Sequence, residues 1–346
     1  MTKPRVVRLW IGILTAALVA SVALTSVRAA SPCEWDGIER IVAVGDVHGA
    51  YDRYVEILRT AGLVDAGGHW SGGATHFVQL GDVVDRGSDS RKALDFLRRL
   101  EREAQAAGGR VHILLGNHEA ARMLGDLRLT VAGEYAAFTT ADSERLRDQY
   151  LKTLRFATAS EREQALQQMP PGFVELRQAF GRDGEYGRWL RQLPVTIKID
   201  GIMFAHGGIS PAVAPMSCAA INDQVRRELT SDLDKTRAKP LASLTARVDG
   251  PLWYRGLAQE PESFAPQVGE ILSALGARAI VVAHTVATTG RITTRFDGRV
   301  IQIDTGMQPA YVQGGRASAL DIHRDEATAI YVDRRDPVPM PKRPGS

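Results

Sequence analysis

Val111 to Ala120, VHILLGNHEA, runs a strand-like segment into Gly116 and then presents Asn117, His118 and Glu119 side by side. A strand that ends on an amide, an imidazole and a carboxylate is either capping a helix or doing chemistry. The same arrangement recurs on both sides. Upstream lie RIVAVGD (40–46) and THFVQLGD (75–82), and downstream IMFAHGG (202–208), AIVVAH (279–284) and RVIQID (299–304). With VTIKI (195–199), these are short β-branched runs bounded by Gly or Asp, the pattern of buried strands. Amphipathic helices are predicted between the first three, over Asp52–Ala61 and Ser90–Ala107, the second closed by Gly108-Gly109. A β-α-β-α-β order predicts an α/β fold with parallel strands and right-handed crossovers.

Residues 120–193 differ, being rich in Ala, Arg, Glu, Gln and Leu and interrupted at Pro170-Pro171. They predict a helical insertion over one face. ASALDIHRDEATAIYVD (317–333) predicts a β-hairpin turning at 324–326, and the Pro-rich segment 336–346 a disordered tail.

Side chains at the carboxyl ends of strands in one α/β sheet converge, because ligands bind at that edge. Here those ends carry Asp46, His48, Asp82, Asn117, His206 and His284, while Asp304 ends a further strand with no assigned role. Alone, an Asp after a strand is commonly a helix N-cap, and a His beside an apolar run a satisfied core residue. Four of the eight histidines stand at strand ends next to Gly, Asn or Ala, which packing does not explain; His69, His76, His112 and His323 read as structural or surface residues. Oxygen and nitrogen donors without cysteine suit Mn, Fe or Zn, and two ions need a shared carboxylate.

The first 29 residues are a separate object. Lys3, Arg5 and Arg8 precede an uncharged apolar run, and Val27-Arg28-Ala29 supplies small side chains for cleavage after Ala29. This predicts a signal peptide, with an uncleaved anchor as the alternative, and a periplasmic, secreted or membrane-anchored catalytic domain over 30–335. Removing the segment takes four basic residues and no acid from 43 basic and 40 acidic ones. The mature chain is therefore slightly acidic, which argues against nucleic acid as a partner. An export route permits a disulfide between the two cysteines, Cys33 and Cys218, but two free thiols fit the sequence equally.

The ordered set GDVHG (45–49), GDVVDRG (81–87), GNHE (116–119), HGG (206–208) and His284 resembles the motifs of calcineurin-like metallophosphoesterases, most closely PPP-type phosphoprotein phosphatases. AHGGISP (205–211), GPLWYRG (250–256) and VVAHTV (281–286) are similar to the bacterial, Shewanella-like branch, and the resemblance spans about 38–310. It implies a central β-sandwich flanked by helices, with the insertion over the active-site face. It also implies two divalent cations (manganese in vitro), one held by Asp46 and His48, one by Asn117, His206 and His284, with Asp82 bridging. A hydroxide shared by the ions would attack phosphorus, Arg86 and Arg255 would bind phosphate, and His118, held by Asp85, would protonate the leaving oxygen. Arg255 has a plainer alternative, a surface Arg packed on Trp253 or Tyr254. The expected substrate is a phosphorylated protein or peptide, on Ser/Thr or Tyr. Small phosphoesters and dinucleoside polyphosphates are the alternative within the enzyme class. A metal-binding scaffold without catalysis is the alternative outside it, and the completeness of the residue set argues against it. Glu119 is expected to be structural, at the start of the next helix, where its charge suits the dipole.

Overall fold

The computed structural model describes residues 33–343. The predicted signal segment lies outside them, and no helix among the described residues is long and apolar enough to cross a membrane. Twelve strands form two six-stranded sheets. They are β1 (Glu34–Trp35), β2 (Arg40–Val44), β3 (His76–Gln79), β4 (Arg110–Ile113), β5 (Thr196–Ile199), β6 (Ile202–Ala205), β7 (Ala279–Val282), β8 (Thr293–Arg295), β9 (Val300–Gln302), β10 (Ser318–His323), β11 (Glu326–Tyr331) and β12 (Arg335–Val338). One sheet has the order β1-β5-β6-β7-β9-β8 and the other β12-β11-β10-β2-β3-β4.

The expected parallel core is present in β2-β3-β4 and again in β6-β7-β9. Each sheet is nevertheless mixed, because hairpins and short edge strands add antiparallel pairs such as β5–β6 and β10–β2. The period-two alternation of the parallel strands explains why they sit between two layers. In β2, Ile41 and Ala43 face the other sheet, packing with Val78, Phe204, Val281 and Ile301, while Val42 and Val44 face the helices. The helix Ser90–Ala106 buries Leu94, Leu97, Leu100 and Ala104, a stripe at three- and four-residue spacing.

The insertion is helical, as expected, with helices at Ala132–Ala136, Ser143–Thr153, Ala159–Gln168, Phe173–Phe180 and Glu185–Leu190. One expectation is corrected, and the state of the two cysteines, which the sequence left open, is resolved. Residues 335–338 form an ordered edge strand rather than a disordered tail, and Pro337 is tolerated because an edge strand does not need every N–H. Cys33 and Cys218 are joined in a disulfide, which ties β1 to the helix Cys218–Leu229.

Candidate active site

Both sheets turn the carboxyl ends of their parallel strands toward one edge. Asp46 lies just past β2, Asp82 past β3, His206 past β6, His284 past β7 and Asp304 past β9; Asn117 opens the helix Asn117–Leu124 after β4. The structure brings together all six proposed ligands. His48 Nε2 lies 3.7 Å from Asp46 Oδ2 and 3.8 Å from Asp82 Oδ2. His206 Nε2 lies 3.3 Å from Asp82 Oδ2 and 2.9 Å from Asn117 Oδ1, and the His284 N–H donates to Asp46 Oδ1. Two groups of potential ligand atoms emerge, His48/Asp82/His118 and Asp82/His206/His284, and Asp82 belongs to both.

The backbone is bent to achieve this. His48, Asp82, Asp85, Arg86 and His284 all have φ between 49° and 69°, a region side chains avoid. Such strain concentrates where function requires it and persists only under outside restraint. Glu119 supplies part of that restraint. Its buried carboxylate accepts the N–H groups of Asp82, Val83, Val84 and Gly116 at 2.8–3.2 Å. Its role is therefore structural, as expected, but reaches beyond the start of its own helix: it clamps the loop carrying Asp82.

The electrostatics call for cations. Asp46 is pushed well above the usual carboxylate range by burial, then by repulsion from Asp304 and Asp82. Burial also raises Asp304, whose Oδ2 has no hydrogen-bond partner. Asp82 stays well below the carboxylate range because His206 and His118 outweigh its desolvation. Desolvation lowers His48 to about 4 and His284 to about 2, so both offer neutral rings, and His284 Nε2 is buried without a partner. His48 and His206 point Nδ1 at the carbonyls of Val84 and Leu80, which fixes that nitrogen as the donor. The neutral His48 ring then leaves its Nε2 facing the Asp46 and Asp82 carboxylates, acceptor against acceptor. That arrangement is adverse for a bare site and fits a metal centre, where a ligating His donates its other N–H to a carbonyl.

His118 differs from its neighbours. Its Nδ1 donates to Asp85 Oδ2 at 2.9 Å, and its Nε2 lies 3.7 Å from Asp82 Oδ2 and 3.5 Å from Arg86 Nη2. Burial opposes its charge, but Asp82 and Asp85 outweigh burial and raise its pKa. Arg86 is stacked on Tyr311, its guanidinium 3.4 Å from the ring centroid. Arg255 is not packed as a surface Arg on Trp253: its Nη1 donates to His284 O at 2.9 Å and Thr285 Oγ1 at 3.0 Å. Sequence reasoning missed Tyr311, Arg122 and Glu134, which sit in an ordinary loop and on ordinary helices. Only the spacing of Arg122, one turn after His118, hinted at a shared face.

The sequence profile of calcineurin-like phosphoesterases matches residues 39–287. An uncharacterised protein of Schizosaccharomyces pombe is 31% identical over 297 residues, covering 84% of this chain and 79% of its own length. Shewanella-like protein phosphatase 2 of Arabidopsis thaliana is 28% identical over 307 residues, covering 84% of this chain and 77% of that protein. Among solved structures, a cold-active protein-tyrosine phosphatase of a psychrophilic Shewanella species has a TM-score of 0.69 at 28% identity, covering 89% of this chain and 82% of that one.

Proposed function

We propose that this chain, which belongs to the calcineurin-like phosphoesterase family in its PPP-type, Shewanella-like branch and is a metal-dependent phosphatase, hydrolyses phosphomonoesters on protein side chains, phosphotyrosine included. In this reading Asp46 and His48 hold one cation, Asn117, His206 and His284 the other, and Asp82 both. When bound, the two cations neutralise phosphoryl oxygens and acidify the attacking water. Arg86, kept flat by Tyr311, and Arg255, tethered beside His284, direct their remaining N–H groups to the phosphoryl oxygens. As the P–O bond breaks, His118 Nε2 gives its proton to the leaving oxygen, while Asp85 holds Nδ1–H and stabilises the imidazolium before transfer.

The observation that carries the substrate class is the space on the leaving-group side of His118. A cavity of about 250 Å³ is lined there by Asp85, Asn117, His118, Ala121, Leu129 and Trp253, with the ion pair Asp126–Arg128 on its wall. It shares Asn117, Ala121, Asp126, Arg128 and Trp253 with a largely apolar cavity of about 420 Å³. An aryl or peptidyl leaving group fits such walls. Arg128, which lines both cavities, and Arg237 on the larger one favour a second reading, in which further phosphates of a dinucleoside polyphosphate lie there.

Equal enzyme assayed on phosphotyrosine peptide, phosphoserine peptide and diadenosine tetraphosphate separates the readings; preference for the dinucleotide overturns the first. Failure to hydrolyse para-nitrophenyl phosphate with Mn²⁺ at any pH from about 5 to about 10, a range spanning His and Tyr titration, would restore the scaffold reading. We place the mature protein outside the cytoplasm, a placement supported by the Cys33–Cys218 disulfide, since such bonds persist in oxidising compartments.

A further inference from the structure

We propose that Arg122 and Glu134 are positioning residues for the proton-donor step, and that through them the helical insertion sets the geometry of His118. This rests on the reading of His118 as the leaving-group acid. His118 and Arg122 stand one turn apart on the helix Asn117–Leu124 and reach the same carboxylate from opposite sides. Asp85 Oδ2 takes the His118 Nδ1–H, while Asp85 Oδ1 takes Arg122 Nη2 and the Thr130 hydroxyl. Arg122 Nη2 also bonds both carboxylate oxygens of Glu134 at 2.9 and 3.0 Å. Glu134 belongs to the insertion, and it also accepts the backbone N–H of Asp85 at 3.2 Å. Phe180, also from the insertion, lies under the Arg122 guanidinium with its ring centroid 4.9 Å away.

The Arg122 side chain is fully buried and those of Asp85 and Glu134 nearly so, at 0%, 5% and 1% exposure. A buried ion set of this kind is a weak source of stability, because desolvation offsets much of the attraction. It is a strong source of orientation, because each carboxylate oxygen has an assigned donor. Orientation is what this position needs. Asp85 and Arg86 are consecutive residues at φ 69° and 67°, a conformation that relaxes unless it is restrained from outside. Glu134 holds the Asp85 backbone and, through Arg122, its side chain. With Oδ1 occupied by donors, Oδ2 is left for the imidazole, which fixes Nδ1 as the protonated nitrogen and turns Nε2 toward the substrate.

The test separates this role from a general structural one by leaving group. Aryl phosphates running from dinitrophenyl through para-nitrophenyl to phenyl need increasing help from an acid as the departing oxygen becomes more basic. Wild type, His118→Asn, Arg122→Met, Arg122→Lys and Glu134→Gln are assayed on that series with metal content measured. His118→Asn should lose about 10²–10⁴ in kcat on phenyl phosphate and far less on dinitrophenyl phosphate. Arg122→Met and Glu134→Gln should show the same slant at about 10–10²-fold on phenyl phosphate, with two metals retained, in line with the cost of small misplacements. Arg122→Lys, which keeps a donor, should recover part of the loss. Equal losses on every substrate, while His118→Asn remains selective, would overturn the positioning role and leave the acid intact. A His118→Asn enzyme with no leaving-group dependence would instead remove the acid reading beneath it. If Arg122→Met does not fold, Glu134→Gln and Thr130→Val carry the test, and a flat profile in both overturns the proposal.

Discussion

Gly116→Ala is a small substitution that the site should tolerate poorly. Gly116 has an extended backbone with φ of −97°, so alanine meets no conformational penalty there. The penalty is contact. A methyl carbon would lie 2.1 Å from Asp82 Oδ1 and 2.3 Å from Asp82 N, where about 3.0 Å is the closest approach that real side chains show. Both atoms must therefore retreat by roughly 0.7–0.9 Å. Asp82 is the only carboxylate shared by the two ligand groups, and its N–H is pinned on Glu119 at 2.9 Å. Moving it disturbs both cation positions and loosens one buried hydrogen bond, a cost of about 1–3 kcal/mol. Displacements near 1 Å at a reacting centre cost on the order of 10²-fold in rate. The expected outcome is a folded protein with kcat on para-nitrophenyl phosphate down at least about 10²-fold and substoichiometric metal. Metal analysis, steady-state kinetics and thermal unfolding on one preparation give all three readouts. A Gly116→Ala enzyme with two bound metals and wild-type kcat would refute the claim that Asp82 is packed in place by the glycine.

Three further outcomes are expected. Cys218→Ser should lower unfolding stability by about 2–5 kcal/mol, read as a lower Tm that reductant reproduces in the wild type, because the bond closes a 185-residue separation. His118→Asn should retain full metal content while losing activity, and metal loss measured on the purified variant would show that His118 is a ligand instead. Acid should weaken the fold through the buried pair His76 and His112, whose rings are hydrogen-bonded at 3.0 Å and whose pKa values burial lowers to about 4 and about 3. The unfolded chain takes up those protons near pH 6.5 and the folded chain does not, so stability is full above that pH. It then falls as pH drops toward 4, by at most about 1.4 kcal/mol per pH unit for each ring. His112→Gln should flatten the fall of Tm between those pH values, and an unchanged slope would remove the pair as its cause.

What the sequence made legible follows from how local each signal is. The strands ending in Asp46, Asp82, Asn117, His206 and His284 could be read because β-branched runs halted by glycine are short-range patterns, and topology then gathers their ends. Glu119 was legible only as a structural residue at a helix start, because of its partners only the Gly116 N–H lies within one turn. Its other partners, the N–H groups of Asp82, Val83 and Val84, come from more than thirty residues upstream. Arg122 looked like any helical cation, and only the fold shows its donors converging on Asp85. The His76–His112 pair was invisible for the same reason, since only the pairing of β3 with β4 brings those residues together, diagonally on one face with His76 opposite Arg110 and His112 opposite Val78. The 335–338 strand was missed because proline-rich composition suggests disorder, whereas pairing with β11 decides the outcome at a sheet edge.

Capping and chemistry are served by one arrangement at the end of VHILLGN. Helix Asn117–Leu124 has Gly116 at its N-cap position, a residue with no side chain to accept the free N–H groups of the first turn. The acceptor is supplied from elsewhere: Asp82 Oδ1 takes the His118 N–H at 2.9 Å. The partial positive charge of the helix end thereby falls on the carboxylate that is asked to stay ionised between two histidine groups. Any side chain at 116 would displace that carboxylate, so the absence of a local cap is what makes room for the shared one. Helical geometry then turns successive residues about a third of a turn apart. Asn117 is aimed at His206 and the ligand cluster, and His118 at Asp85. The change of role between two adjacent residues follows from that rotation, and it holds only while Asp82 caps the helix that carries them both.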